Sequence, residues 1–264
     1  MTAPGGLDPA LDATLLSRIE SAGLNASAPP QQRWLDGWLV RFSPCKAKRA
    51  RCVNAVAEGR LGVAERLAAC EAVFERAALP AIYRITPFTR PADLDRILEA
   101  RGLRRFDDTR VMALADLSRL APPSLGALTL HRLDHTAFAE RVGGFRGSAN
   151  AQRTAHAERL VNSPVPYSGF ELRDAGGVSV ACGEFALEGE LVGLYDVYTV
   201  ESARRRGLAG LLCRHLLAAA VARGAWHAYL QVEGDNHAAR AVYQRLGFVD
   251  GYAYHYRTRD PSAA

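Results

Sequence analysis

The segment Thr199-Val200-Glu201-Ser202-Ala203-Arg204-Arg205-Arg206-Gly207-Leu208-Ala209-Gly210 decides the reading of this chain. It joins an apolar run, Glu190 to Val200, to a stretch of helical periodicity from about Arg206 to Ala222, so it reads as a strand-to-helix turn. Small residues in such a turn let the backbone approach a ligand closely. The helix start adds unpaired N–H groups and about half a positive charge. Arg204, Arg205 and Arg206 supply guanidinium groups around it. Together these features describe a pyrophosphate cradle. Taken alone, they also describe a plain helix start with surface arginines.

Downstream, Gln231 to Phe248 reads Q-V-E-G-D-N-H-A-A-R-A-V-Y-Q-R-L-G-F. A strand over Ala228 to Val232 leads to Asn236 at a helix start. The helix covers Ala238 to Leu246, and Gly247-Phe248 returns to a final strand around Tyr252 to Tyr256. Upstream, the periodicity predicts strands at Leu128–Leu130, Tyr167–Leu172, Gly177–Ala186 and Glu190–Val200, with two short helical stretches before Val161. Glu188-Gly189 suits a two-residue hairpin turn between the last two strands.

These two ordered segments resemble the GNAT superfamily of N-acetyltransferases. Arg204, Gly207 and Ala209 meet the family's R/Q-x-x-G-x-G/A signature. Asn236, Ala239, Tyr243, Gly247 and Phe248 meet N-x-x-A-x-x-x-Y-x-x-x-G-F. The resemblance covers roughly residues 127 to 257 and implies a mixed α/β (α+β) sheet with acetyl-CoA as co-substrate. It implies that Val197, Tyr198 and Thr199 pair their backbone with the pantetheine arm, and that amides of Arg205, Arg206, Gly207, Leu208, Ala209 and Gly210 hold the pyrophosphate. Asn236 would contact the cofactor, and Tyr243 would protonate the departing thiolate. A phenol suits that role because it stays protonated at neutral pH.

An ammonium acceptor also needs a base, since it has no lone pair for attack. Some family members carry a glutamate before the Asn236 position, but here that position is Gln231. Pairing outward from a Glu188-Gly189 turn sets Glu184 opposite Gly193 and Cys182 opposite Tyr195. Glu184 would then project into space left open by Gly193, as the candidate base. A bulge in the second strand would alter this parity and bring in Asp196. Tyr252, Tyr254 and Tyr256 alternate as a packed aromatic face or an acceptor wall, and His215 reads as a core or edge residue.

The tandem prolines Pro122-Pro123 predict a boundary, dividing a catalytic part, 121–264, from a smaller α/β companion, 1–120. In that companion a strand is expected over Trp34–Phe42, a helix over about 63–78, a strand over Ala81–Ile85 and a helix from Pro91 to Gly102. It resembles the degenerate GNAT half of two-domain members and has no second cofactor signature.

Composition bounds the alternatives. Five scattered cysteines without C-x-x-C spacing argue against a disulfide framework or structural zinc, and no metal is expected. Met1 to Gly6 lacks the layout of a secretory signal, and no apolar run approaches the roughly 18 residues that span a bilayer, so a cytoplasmic protein is expected. Of 33 basic residues only Lys46 and Lys48 are lysine, a usage that reflects coding bias and weakens the case for a polyanionic partner. The Lys46 to Arg51 cluster leaves a nucleic-acid-associated protein as one alternative, and Gln231 leaves a non-catalytic acetyl-CoA sensor as another. The leading expectation is an enzyme, monomeric or homodimeric, that acetylates a small-molecule or peptide amine.

Overall fold

The computed structural model describes residues 11–43 and 47–263. Met1 to Gly6, Cys45 and Lys46 lie outside the described residues. By contact the chain gathers into two units. The first holds the segment ending at Ala26 with 111–232 and 236–251, and the second holds 27–110, 233–235 and the segment from Tyr252 on. This grouping departs from a cut at Pro122-Pro123, because α1 (Ala13–Ala26) joins the first unit and the end of β11 (Val249–Thr258) joins the second. The reason for α1 is its stripe of Leu15, Leu16 and Ile19, all buried, with Leu16 against Gly251. Glu190 and Glu188 tie it down further through Arg18 and Asn25.

In the first unit, β6 (Thr129–Leu133), β7 (Tyr167–Arg173), β8 (Ser179–Glu188) and β9 (Leu191–Thr199) form an antiparallel series. β10 (His227–Glu233) lies parallel to β9, followed by the Val111–Leu114 end of β5 (Arg104–Leu114). A parallel neighbour needs a crossover, and α6 (Leu208–Val221) supplies it. Its Leu212, Cys213, Leu216 and Leu217 bury on Ala181, Phe185, Val192 and Leu230, making the core of one sheet face. On the opposite face, Phe138 and Val142 of α4 (His135–Phe145) and Leu160 of α5 (Asn150–Val161) pack with Tyr167, Cys182 and Ala186. α7 (His237–Arg245) follows β10.

The second unit has the strand order β1 (Gln32–Leu35), β2 (Trp38–Arg41), β3 (Val53–Asn54), β4 (Tyr83–Ile85) and β11. The strand expected over Trp34–Phe42 is instead part of a hairpin: Asp36 (φ 42°) and Gly37 (φ 84°) both take left-handed conformations between β1 and β2. An Asp-Gly pair favours such a tight reversal. α2 (Val63–Arg76) and α3 (Leu94–Ala100) bury Leu67, Phe74, Leu94 and Leu98 around Trp38 and Tyr83. α3 starts at Leu94, three residues later than Pro91 suggests. Tyr254 and Tyr256 are buried and meet edge to face, with Arg84 over Tyr254, so this alternation is a packed aromatic face. Lys48 pairs with Asp107 at 2.7 Å, and Arg49 donates to the Tyr254 hydroxyl. Much of the basic segment is thus engaged within its own unit.

Among the described residues no helix is long and apolar enough to cross a membrane. The described cysteines Cys52, Cys70, Cys182 and Cys213 are buried thiols.

Leu216 is fully enclosed between α6 and the sheet. Leu216→Ala should lower stability by about 2–5 kcal/mol, seen as an earlier midpoint in chemical denaturation with acetyl-CoA absent.

Candidate active site

Two neighbouring strands of the first unit part company. β9 runs to Thr199 and β10 to Glu233, yet their ladder holds only from Leu191–Leu194 against His227–Leu230. Beyond it, β9 bulges. Glu184 pairs with Tyr195 but Cys182 pairs with Tyr198, so Asp196 and Val197 oppose the single residue Gly183. Asp196 takes φ 49° to make the bulge, a conformation that aspartate tolerates better than most residues. Val197, Tyr198 and Thr199 therefore form a strand segment outside the β10 ladder, the place where an extended arm can pair with backbone.

At the end of this segment a 3-10 turn, Glu201–Ala203, leads into α6. Arg205 (φ 61°) and Gly207 (φ 75°) are both left-handed, and Gly207 is the residue that begins the helix. Alternating hands of this kind turn successive N–H groups toward one concavity. A cleft of about 780 Å³ opens there, lined by Thr199, Arg204, Arg205 and Gly207 to Gly210 on one side. Ala238, Ala239 and Val242 of α7 line the other. A side chain at Gly207 would meet no atom within 4 Å, so the φ angle, not space, selects glycine.

The remaining cofactor candidates stand around this cleft without lining it. Val197 turns a methyl toward Gly183 on the α6 face. Tyr198 stacks on Phe145, with Arg146 and Arg204 near its ring. Arg206 is exposed. Asn236 caps α7, its Oδ1 accepting from the Ala239 amide at 3.1 Å. Tyr243 packs edge to face on Phe248, and burial, helped by nearby Cys213, pushes its hydroxyl above the ordinary phenol range. His215 bonds to the Pro123 carbonyl at 3.0 Å, an edge contact.

The hairpin register corrects the placing of Glu184. The turn residues are Gly189 and Glu190, because Glu188 pairs with Leu191. Gly193 consequently faces Ala186, and the space above it is filled by the Tyr195 and Tyr229 rings, whose hydroxyls lie 2.9 Å apart. Glu184 points to the α5 side and is fully buried. His156 Nε2 and Arg159 Nη2 of α5 each stand 3.9 Å from its Oε1, and neither carboxylate oxygen has a hydrogen-bond partner among the described residues. Burial first of all pushes its carboxyl up to about 7. The bulge delivers Asp196 to the same place, 3.5 Å from His156 and 2.6 Å from Arg146 of the α4 end. Burial raises the Asp196 carboxyl, but Arg146 and His156 outweigh it and hold the group below its ordinary range.

Donor atoms of His156, Glu184 and Asp196 all lie within 4.8 Å of one another, a spacing a small cation could fill. Two guanidiniums already balance the two carboxylates, however, so a divalent ion would add uncompensated positive charge in a buried place. The cluster is better suited to handling protons. The sequence does not mark out His156, Arg159 or Arg146, because the facing of α4 and α5 is not fixed by their polar periodicity. The i, i+3 spacing of His156 and Arg159 was the available signal. Gln231, at the position of the missing glutamate, lies against Gly23 of α1.

A strand that parts from its parallel neighbour at a bulge, followed by a left-handed glycine turn into the crossover helix, is the arrangement of a GNAT fold. Among solved structures, a GCN5-related N-acetyltransferase from Kribbella flavida superposes with TM-score 0.66 at 19% identity, covering 97% of each chain. A tandem GNAT protein from the clavulanic acid biosynthesis pathway gives 0.62 at 16%, covering 75% of this chain and 70% of that one. A GCN5-related N-acetyltransferase from Sphaerobacter thermophilus gives 0.58 at 19%, covering 74% and 66%. No curated protein matches in sequence. Residues 16–258 match the family described as "Probable histone acetyltransferase Rv0428c C-terminal", and the chain belongs to that family.

Because the folded state raises the Glu184 carboxyl from 4.5 to about 7, its stabilising contribution is complete below 4.5 and is lost as pH rises through about 7. The gap corresponds to at most about 3 kcal/mol. Glu184→Gln removes this titration, so the variant should gain stability relative to the parent between pH 5 and 8, measured by denaturation midpoints.

Proposed function

We propose that the protein transfers the acetyl group of acetyl-CoA to a primary amine by direct attack of the amine on the thioester. The observation that carries this reading is the strand segment Val197–Thr199, unpaired with β10, leading into the left-handed turn at Gly207. The strand suits the pantetheine arm and the turn suits the pyrophosphate, with Arg204 and Arg205 adding charge at the cleft. Asn236 stands at the head of α7 as a further cofactor contact.

The two catalytic candidates belong to opposite faces of the sheet. Tyr243 packs with the α6 core, whereas Glu184 faces α5. A thioester held where β9 leaves β10 would be open to both faces. Acceptor and base then work on the α5 side, and the leaving thiolate takes a proton from Tyr243 on the other. The raised Tyr243 hydroxyl supports this division, since a general acid must reach the reaction protonated. Glu184, with a carboxyl near neutrality, is matched to deprotonating an ammonium, directly or through one water. Once neutral, the amine attacks the carbonyl carbon, the C–S bond breaks, and the thiolate leaves as thiol.

The acceptor is a small-molecule or peptide amine. The family's description speaks of histone acetylation, and a lysine ε-amine is one member of that class. Supplying an amine and peptide panel with acetyl-CoA, and reading thiol release, tests the activity. On an acceptor so found, Tyr243→Phe should reduce kcat by roughly 10²- to 10⁴-fold with little change in the KM for acetyl-CoA. An unchanged kcat would remove Tyr243 from the mechanism.

A further inference from the structure

Acetyl transfer to an ammonium releases one proton per turnover. The nitrogen sheds a second proton as the amide forms, and this is balanced by the one the thiolate takes up, so one proton must be exported per turnover. Glu184, which would take it, is 0% exposed and has no direct contact with solvent. A base in that position must be emptied through a neighbour.

Among the described residues, the titratable and charged groups facing Glu184 come from four elements. α5 presents His156 and Arg159, β9 presents Tyr195 and Asp196, β7 presents Tyr167, and β8 itself presents Cys182, whose thiol burial pushes up to about 12, too far to carry a proton at neutral pH. Arg146, the residue that caps the end of α4, acts through Asp196. Arg159 is a permanent cation beside the Tyr167 ring, and the Tyr167 hydroxyl is committed to the Ala26 carbonyl at 2.7 Å. Tyr195 is hydrogen bonded to Tyr229. Asp196, held ionised by Arg146, can stabilise a cation but not carry a proton at neutral pH. His156 remains: its Nε2 lies between the two carboxylates, 3.9 Å from Glu184 and 3.5 Å from Asp196, and its side chain is 18% exposed. That nitrogen has no hydrogen-bond partner among the described residues.

We propose that His156 is the positioning and relay partner of Glu184, receiving the acceptor's proton from the carboxyl and releasing it to solvent; this rests on the reading of Glu184 as base. The steps balance. Glu184 carboxylate takes H⁺ from R–NH3⁺, leaving R–NH2 and a carboxylic acid. The acid passes H⁺ to His156 Nε2, once the 3.9 Å gap closes to hydrogen-bond distance, and is again a carboxylate. Asp196 stabilises the imidazolium until the proton reaches bulk water. Imidazole is the side chain suited to such a shuttle, because one ring nitrogen can take up a proton while the other gives one away.

The test needs no acceptor. Difference infrared titration of the full chain, the parent minus Glu184→Gln, isolates the Glu184 carboxylic C=O band, whose midpoint is expected at about 7. In His156→Gln, and in His156→Asn as a second variant, that midpoint should rise by about one pH unit, because a neighbour able to carry positive charge is lost. In Asp196→Asn it should fall, because a like charge is lost. Equal acetyl-CoA affinity in all variants shows that the fold is retained. If Glu184→Gln removes a titrating band but both His156 variants leave its midpoint unchanged, the relay is wrong while the base survives. If Glu184→Gln removes no such band, the base reading falls and takes the relay with it.

Discussion

The structure turns on the end of one ladder. Parallel pairing between β9 and β10 stops at Leu194 and Leu230, and β9 then bulges at Asp196. A sheet that stayed paired would have no backbone edge to offer and no opening between its faces. The bulge has two consequences at once. It separates Val197–Thr199 from the ladder, and it swings Asp196 to the α5 side, where Glu184 and His156 already lie. The long helix that makes the parallel crossover also provides the N-terminus at Gly207, so the fold's connection and the proposed anion site are one element. Its apolar face, Leu212 to Leu217, anchors that N-terminus on a close-packed core.

Burial without hydrogen bonds is costly, and Glu184 is the clearest instance in the first unit. By contrast Glu171, equally buried, is held by Arg141 and Arg173 at 2.7 and 2.5 Å. The difference separates a structural carboxylate from one kept in reserve. Arg146 and Arg159 keep the Glu184–Asp196 pair near charge balance, while His156 and Arg159 stop 3.9 Å short of Glu184. Such a group lowers stability near neutral pH and is consistent with a site shaped for chemistry.

Much of this was legible in the residues. Gly207 and Ala209, then Asn236 and Tyr243, carry fixed spacing, and the turn, crossover helix and returning strand followed in the order expected. Glu184 was reachable from alternation alone, since moving the turn from Glu188-Gly189 to Gly189-Glu190 shifts its partner by two and preserves its face. The partner itself was not reachable, and the space at Gly193 proved to be filled by Tyr195 and Tyr229, which no local pattern declares. The Asp36-Gly37 hairpin carried a strong local signal that the apolar run around it masked. His156 was hidden because α5 has only Leu160 fully buried, leaving its inward face unmarked. The grouping of α1 with the first unit depends on contacts far apart in sequence, beyond any periodicity.

The central claim is a cofactor site built from the β9 edge and the Gly207 turn. Calorimetric titration of the purified chain with acetyl-CoA at moderate salt tests it most directly, beside a Gly207→Val variant that opposes the left-handed φ. The account predicts micromolar binding to the parent and clearly weaker binding to the variant. Absence of binding to the parent at millimolar acetyl-CoA would contradict it.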